Sequence, residues 1–356
     1  MDQRLNTIRR KMIDNNVEAF LITHRSNIIY LSGFTGTSGF LLVTSMDALL
    51  FTDFRYLEQA GEQAPAFEVM RVESSANYSA AAQFISKKGL NTLALEEAHF
   101  SLREYNQLKG SHPRIKIVSL YNFVEEIRVI KEEKEVGFIA AAARIADQAL
   151  QNVLPLLKPG ISELEVSYEL EYQLRKGGSE KLPFEIIVAS GERSALPHGV
   201  AGKRIINAGE LVTIDFGAVY SGYCSDMTRT FVLGAPHQKQ QEIYDLVLQG
   251  VEMATRTVRA GQRCDSVDGL VRQFFEKEGY GACFGHGLGH GVGLEVHELP
   301  TLSPKGQELL EEMMIFTIEP GIYIGGWGGI RIEDLVVLRP EGLQILTESG
   351  KEFVLG

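Results

Sequence analysis

The segment FGHGLGHGVGLEVHELP, residues 284–300, limits this chain more than any other feature. His286 and His290 stand four apart, a spacing that would join them on one helix face. Glycine occupies 285, 287, 289, 291 and 293, and each interior glycine costs a helix about 1 kcal/mol relative to alanine. A helix is therefore excluded. Alternating glycine fits an extended strand with one bare face, and His286 and His290 share the other. His297 has the opposite parity and needs a bend or bulge to join them. Glycines at this density make sense where something must approach the backbone closely. Three of the chain's eight histidines fall within twelve residues here, which marks a candidate site.

Two further segments carry acids where apolar strands are expected. LVTIDFGAVYSGYCSDMTRTFVL (211–233) reads as two strands joined at Ser221-Gly222, a turn pair. A symmetric hairpin sets Asp215 opposite Thr228 and Asp226 opposite Gly217. The two aspartates are then diagonal neighbours on one face. Aspartate disfavours strand interiors, and a buried unpaired carboxylate is costly, so a ligand or catalytic role outweighs a solvated one. FTIEPGIYIGGWGGIRIEDLVVL (316–338) places Glu319 and Glu333 symmetrically about Gly326. A hairpin sets these two opposite each other, where they repel unless a cation lies between them. Asp334 has the other parity and points away.

Four carboxylates with one or more histidines suit divalent ions. Oxygen donors favour Mn²⁺, Mg²⁺ or Fe²⁺, and imidazole brings Zn²⁺ and Co²⁺ into range. Four acids are too many for one catalytic zinc but neutralise two ions, and a two-ion centre is a hydrolytic device.

The remaining chain frames this site. The 356 residues suffice for two domains. Residues 1–125 read as an α/β domain, with strands in VEAFLIT, GFLLVT, ALLFT, AFEVMRV, NTLALEE and RIKIVSL. GFTGTSGF (33–40) lacks GK[ST] and precedes a strand, so it reads as a turn, not a phosphate loop. The charged stretch EEIRVIKEEKEV (125–136) marks a boundary, with a second domain over 126–356. That domain opens with a helix over about 132–157, then a Ser162/Glu165 capping box and a helix to Gly177-Gly178. The same grammar returns 101 residues later, with Gly160 on Gly261 and Gly178 on Gly279. Two helix–helix–strand halves are expected, with a site in the cleft between them.

At these residues the sequence resembles the pita-bread metallopeptidases, in the order Asp215, Asp226, the HGLGHGVGLEVHE run, TIEPG and RIED. SNIIYLSGFTGTSG and FTDFRYLEQA resemble the creatinase-type N-terminal domain of Xaa-Pro peptidases. The resemblance implies a mixed α/β (α+β) chain, a creatinase-like domain followed by a pseudo-twofold pita-bread domain. It implies five metal ligands, Asp215, Asp226, His290, Glu319 and Glu333, around two divalent ions. Mn²⁺ is the first expectation, with Co²⁺ or Zn²⁺ as alternatives. It gives His198, His297 and Glu319 catalytic roles, and places His286, Arg331, Tyr323 and Thr228 around the substrate and ligands. The implied activity is hydrolysis of the Xaa-Pro bond at the N-terminus of short peptides, by a homodimer. Dipeptidase and aminopeptidase both stay open, since Lys305 is the one basic residue between Glu298 and Ile318.

Composition narrows the alternatives. A formal net charge of -11 repels phosphate backbones and argues against nucleic acid. Three widely spaced cysteines suggest neither a disulfide framework nor a thiolate site. The charged N-terminal segment is no signal peptide and no apolar run spans a membrane, so a cytoplasmic protein is expected. A creatinase-like amidinohydrolase and a non-catalytic binding protein share the fold, but relatives of either kind lose the metal carboxylates, and this chain keeps all five ligands. Methionine aminopeptidases generally lack the N-terminal domain.

Overall fold

The computed structural model describes residues 2–73 and 78–355. The chain divides into two compact units, Met1–Arg128 and Val129–Gly356.

The first unit runs α1 (Asp2–Asp14), β1 (Ala19–Ile22), α2 (Arg25–Ser32), β2 (Phe40–Thr44), β3 (Ala48–Thr52), α3 (Leu57–Gln63), β4 (Glu68–Arg71), α4 (Ser79–Lys87), β5 (Thr92–Glu96), α5 (Leu102–Ser111), β6 (Lys116–Leu120) and α6 (Glu125–Arg128). The strands form one sheet in the order β4-β3-β2-β1-β5-β6. β1, β2 and β3 pair antiparallel in turn, whereas β4 joins β3, and β5 joins β1 and β6, in parallel. Continuous apolar runs explain the buried strands: Leu21, Leu42, Leu49, Phe51 and Leu93 pack into one core. Gly-rich residues 33–40 form the connection into β2, as expected of a turn.

The second unit opens with α7 (Glu133–Val153) and α8 (Glu163–Lys176), followed by β7 (Ile187–Ser190), β8 (Leu211–Phe216), β9 (Val219–Tyr220), β10 (Tyr223–Cys224) and β11 (Met227–Leu233). A second helix pair follows, α9 (Gln238–Thr257) and α10 (Cys264–Lys277). Then come β12 (Gly289–Gly291), β13 (Glu298–Leu302), β14 (Ile315–Ile318), β15 (Gly321–Ile324), β16 (Gly328–Arg331), β17 (Asp334–Arg339), β18 (Gly342–Ile345) and β19 (Val354–Leu355). The main sheets are β19-β11-β8-β7 and β13-β12-β14-β17-β18. Each helix pair covers one of them. Leu150, Leu170 and Leu174 pack on Ile214 and Phe231, and Val247, Val271 and Phe275 pack on Phe316 and Val336.

The two halves repeat in detail. α8 runs from 163 to 176 and α10 from 264 to 277, so both ends are displaced by the same 101 residues. Ser162 caps α8 by accepting from Glu165 N, with the Glu165 side chain returning the bond.

The glycine-rich segment departs from expectation. Only Gly289–Gly291 is strand, and His286 precedes it in irregular chain. The physical reason lies on α10. Arg272 donates to the carbonyls of Phe284 (2.8 Å) and His286 (2.7 Å), and Leu288 N donates to Asp268 Oδ1 (3.0 Å). Side chains thus take the backbone groups that a strand would have paired.

Candidate active site

Both carboxylate hairpins have the register that symmetry about their turns predicts. Thr228 lies opposite Asp215, and Met227 opposite Phe216, so Asp226 follows one step on, beside Gly217. Ser221 and Gly222 turn the chain with positive φ at both residues, the geometry of a tight hairpin turn. In the second hairpin Gly321 pairs with Arg331 and Ile318 with Asp334. Glu319 and Glu333 sit between these pairs, opposite each other. Asp334 points away from them into a buried ion pair with Arg229 at 2.9 Å.

The glycine-rich segment brings the imidazoles to these acids. A Cβ on Gly289 would stand 1.9 Å from the Thr317 carbonyl oxygen, and one on Gly291 2.0 Å from that of Leu299. Bare glycine is what lets the flanking chain close on β12. The register then slips between His290 and Gly291, and this irregularity carries His297 back, with its ring 4.3 Å from that of His290. His290 Nδ1 donates to the Gly291 carbonyl (3.1 Å). That bond leaves Nε2 as the acceptor, facing Glu319 at 3.3 Å and Asp226 at 3.6 Å. His286 lies 4.0 Å from Glu319 and hydrogen-bonds Tyr323 Oη at 2.9 Å. Arg331 ties the opposite wall together, donating to Asp215 Oδ2 (2.6 Å), Tyr323 Oη (2.8 Å) and Thr228 Oγ1 (3.0 Å). The Thr228 hydroxyl donates in turn to Glu333 Oε2 at 2.6 Å.

These groups line a cavity of about 410 Å³ within the second unit, shared by Asp215, Asp226, His290, Glu319, Arg331 and Glu333 and by His198, His286 and His297. The structure thus brings every predicted polar ligand to one place, while Thr228 and Tyr323 stand behind it. Burial pushes the Asp226 and Glu333 carboxyls well above their ordinary range, reinforced by the neighbouring acids. Burial also raises Glu319, although His286 and Arg331 pull it back. It lowers His290, His286 and His297, keeping the imidazoles neutral. Asp215 Oδ1 and Asp226 Oδ1 are buried without any hydrogen-bond partner. Asp226, His290 and Glu333 each place a donor atom within 4.8 Å of the others. Orphaned oxygens beside a neutral imidazole nitrogen are the donor set a divalent cation requires.

Comparison with known proteins agrees with this geometry. Residues 137–340 match metallopeptidase family M24, and residues 4–130 match the creatinase/prolidase N-terminal domain. The chain belongs to metallopeptidase family M24. It is 37% identical to an Xaa-Pro dipeptidase of Pyrococcus horikoshii, over 99% of each chain. Its fold is similar to that of the Xaa-Pro dipeptidase from Bacillus anthracis (TM-score 0.96, 39% identity, 99% of each chain). It is also similar to the X-Pro aminopeptidase from Thermotoga maritima (TM-score 0.89, 38% identity, 96% of this chain and 98% of that one). Membership of this metallopeptidase family makes divalent metal ions the cofactors of its chemistry.

Several parts of this M24 centre were not visible in the sequence. Thr317 accepts from His290 N and donates to Glu319 Oε1, both at 3.1 Å, and so sets two of the site residues at once. Its place two residues before Glu319, on the same strand face, was the available signal. Asp268 and Arg272 stand four apart on α10 and pair through two bonds of 2.8 and 2.9 Å. They read as an ordinary helix ion pair, and only the structure shows them gripping residues 284–288. Phe184, Glu185 and Ile187 form a further cavity wall that no motif marked.

Proposed function

We propose that this M24 peptidase hydrolyses the Xaa-Pro bond at the N-terminus of short peptides, with Asp215, Asp226, His290, Glu319 and Glu333 holding two divalent ions. The observation that carries the reading is the convergence of orphaned Asp215 and Asp226 oxygens on His290 and Glu333 in one cavity. The names of the dipeptidase and aminopeptidase relatives supply the substrate class. The residue set of oxygen donors with one imidazole suits Mn²⁺ first, and Co²⁺ or Zn²⁺ next.

The bond before proline is a tertiary amide without an N–H, so the enzyme must grip the carbonyl and the free N-terminus. Bound divalent ions supply Lewis acidity and an acidified water. The chain's own residues do the rest. His198 and His297 line the cavity where they can donate to the scissile carbonyl oxygen as charge builds on it. Glu319, lining the same cavity, can take the proton of the attacking water and pass it to the leaving prolyl nitrogen. Thr228 fixes Glu333, and Arg331 fixes Asp215, Thr228 and Tyr323. The carboxylates are thereby oriented before substrate arrives. The homodimer that the resemblance implies and the cytoplasmic location expected from the N-terminal segment belong to the same proposal, and light scattering of the purified protein tests the first.

The test loads the protein with Mn²⁺ and follows Ala-Pro and Ala-Pro-Ala, with and without chelator. Chelator-sensitive cleavage of the dipeptide alone assigns a dipeptidase, and cleavage of the tripeptide an aminopeptidase. Failure to cleave either substrate would overturn the Xaa-Pro reading.

A further inference from the structure

The first unit holds a second cluster of ligand-type side chains, remote in sequence from all the residues above. β1 and β5 are adjacent parallel strands. Their carboxyl ends therefore open side by side, where α/β sheets place their ligands. His24 follows β1 and caps α2, and His99 follows β5. Their rings stack at 3.6 Å and 2° between planes. Glu125, from α6, places Oε1 3.7 Å from His24 Nδ1 and 3.4 Å from His99 Nε2.

These separations carry the argument. The His24 spacing is too long for a hydrogen bond, and the His99 spacing is at its limit. Four-coordination with arms of about 2.0–2.1 Å sets neighbouring ligand atoms roughly 3.3–3.4 Å apart; the His99 spacing meets that edge and the His24 spacing lies just beyond it. Among the described residues, two groups bring three such donor atoms within 4.8 Å of one another, this one and the M24 centre. The support is also that of a metal site. Asn27 donates to Glu125 Oε1 (2.6 Å) and to Glu96 Oε1 (2.7 Å), and accepts from Arg128 (2.8 Å). Buried Glu96 accepts from the backbone N–H of Thr23 (2.6 Å) and His24 (2.7 Å), which fixes the start of α2. Arg128 is a cost for any nearby cation, and the Asn27 amide stands between them. Burial raises the Glu125 carboxyl, but its contacts with His24 and Asn27 prevail and hold it at about 2. It is therefore a carboxylate, as a ligand must be. His24 and Glu125 are half-buried, while His99 is more open, which leaves room for water as a fourth ligand.

We propose that His24, His99 and Glu125 form a third divalent-cation site, for a Zn²⁺-class ion, tying the loop after β1 to the loop after β5 and to α6. Two imidazoles and one carboxylate select such borderline ions over Mg²⁺ or Ca²⁺. The stacked rings must swing apart for both nitrogens to face one ion. This inference stands independently of the peptidase reading.

Native mass spectrometry of the full chain, stripped with EDTA and equilibrated with buffered Zn²⁺, reads the stoichiometry. Wild type should bind three equivalents. His99→Ala and Glu125→Gln should each bind two, and the two retained in the second unit report that the variant is folded. His112→Ala, a histidine of the same unit outside the cluster, should keep three. Wild type that binds no more equivalents than His99→Ala and Glu125→Gln bind would overturn the proposal. So would a third equivalent that survives both His99→Ala and Glu125→Gln.

Discussion

The two halves of the catalytic unit reach the same cavity by different means. In the first half, β8 and β11 pair without a register shift; Asp215 sits within that ladder, and Asp226 one residue before it, where bare Gly217 lets the Ser225 carbonyl close in. In the second half, the glycine-rich segment has only three residues of strand. Its histidines are placed by packing against Thr317 and Leu299 and by the Asp268–Arg272 grip from α10. α8 and α10 are equivalent by position, yet α10 holds site-bearing backbone through this ion pair. A regular hairpin needs no such support. An irregular segment must satisfy its backbone groups elsewhere.

The largest effects should come from the cavity carboxylates, in either half. Asp226→Asn or Glu333→Gln should lower kcat/KM by at least about 10³-fold, with the fold intact by circular dichroism. Asn or Gln keeps the shape and removes the charge, so a wild-type rate would separate these acids from the chemistry.

The next effect separates the halves. Gly291→Ala drives a Cβ to 2.0 Å from the Leu299 carbonyl oxygen, and should cost about 1–3 kcal/mol or more in urea unfolding. Gly137, exposed in α7 with open space around it, offers the contrast. Gly137→Ala should instead gain about 0.5–1 kcal/mol. Equal effects at both positions would show that the close approach at Gly291 does not hold β12 in place.

Asp268→Asn should weaken metal affinity, by less than the about 10–100-fold typical of a direct partner of a ligand, because Asp268 reaches His290 through Leu288 N. The loss should fall on binding of the ion nearest His290, and a calorimetric titration would resolve it. An unchanged isotherm would reduce the Asp268–Arg272 pair to an ordinary helix pair.

The smallest signal is protonic. The Asp226 and Glu333 carboxyls are raised by burial and by the neighbouring acids. In the metal-free protein they therefore hold protons at pH values where free carboxyls do not. An ion displaces those protons, so uptake at pH values below the raised ones should release acid, and affinity should fall as pH falls. For the same reason the metal-free protein pays a penalty for ionising these acids, which grows as pH rises toward their raised values and disappears on acidification. A pH-stat titration with Mn²⁺ that releases no protons would contradict these directions.

What the sequence revealed follows the same division. Hairpin symmetry about Ser221-Gly222 and about Gly326 was enough to pair Asp215 with Thr228 and to oppose Glu319 and Glu333, because strand periodicity carries register over a dozen residues. The 101-residue offset of α8 and α10 was likewise legible from glycine stops. The irregular path of His286 was not, because it depends on Arg272 and Asp268, which are distant in the chain and unremarkable on a helix. The cluster of His24, His99 and Glu125 was also hidden. Its members are 26 to 101 residues apart, and only the parallel pairing of β1 with β5 brings two of them together.

The central claim is that two cations sit among Asp215, Asp226, His290, Glu319 and Glu333. Anomalous diffraction at the manganese edge, from crystals grown with Mn²⁺, tests it most directly. The account predicts two peaks about 3.5–4 Å apart, with these five side chains as protein ligands. A single peak, or peaks ligated elsewhere while Asp215 Oδ1 and Asp226 Oδ1 still lack partners, would contradict it.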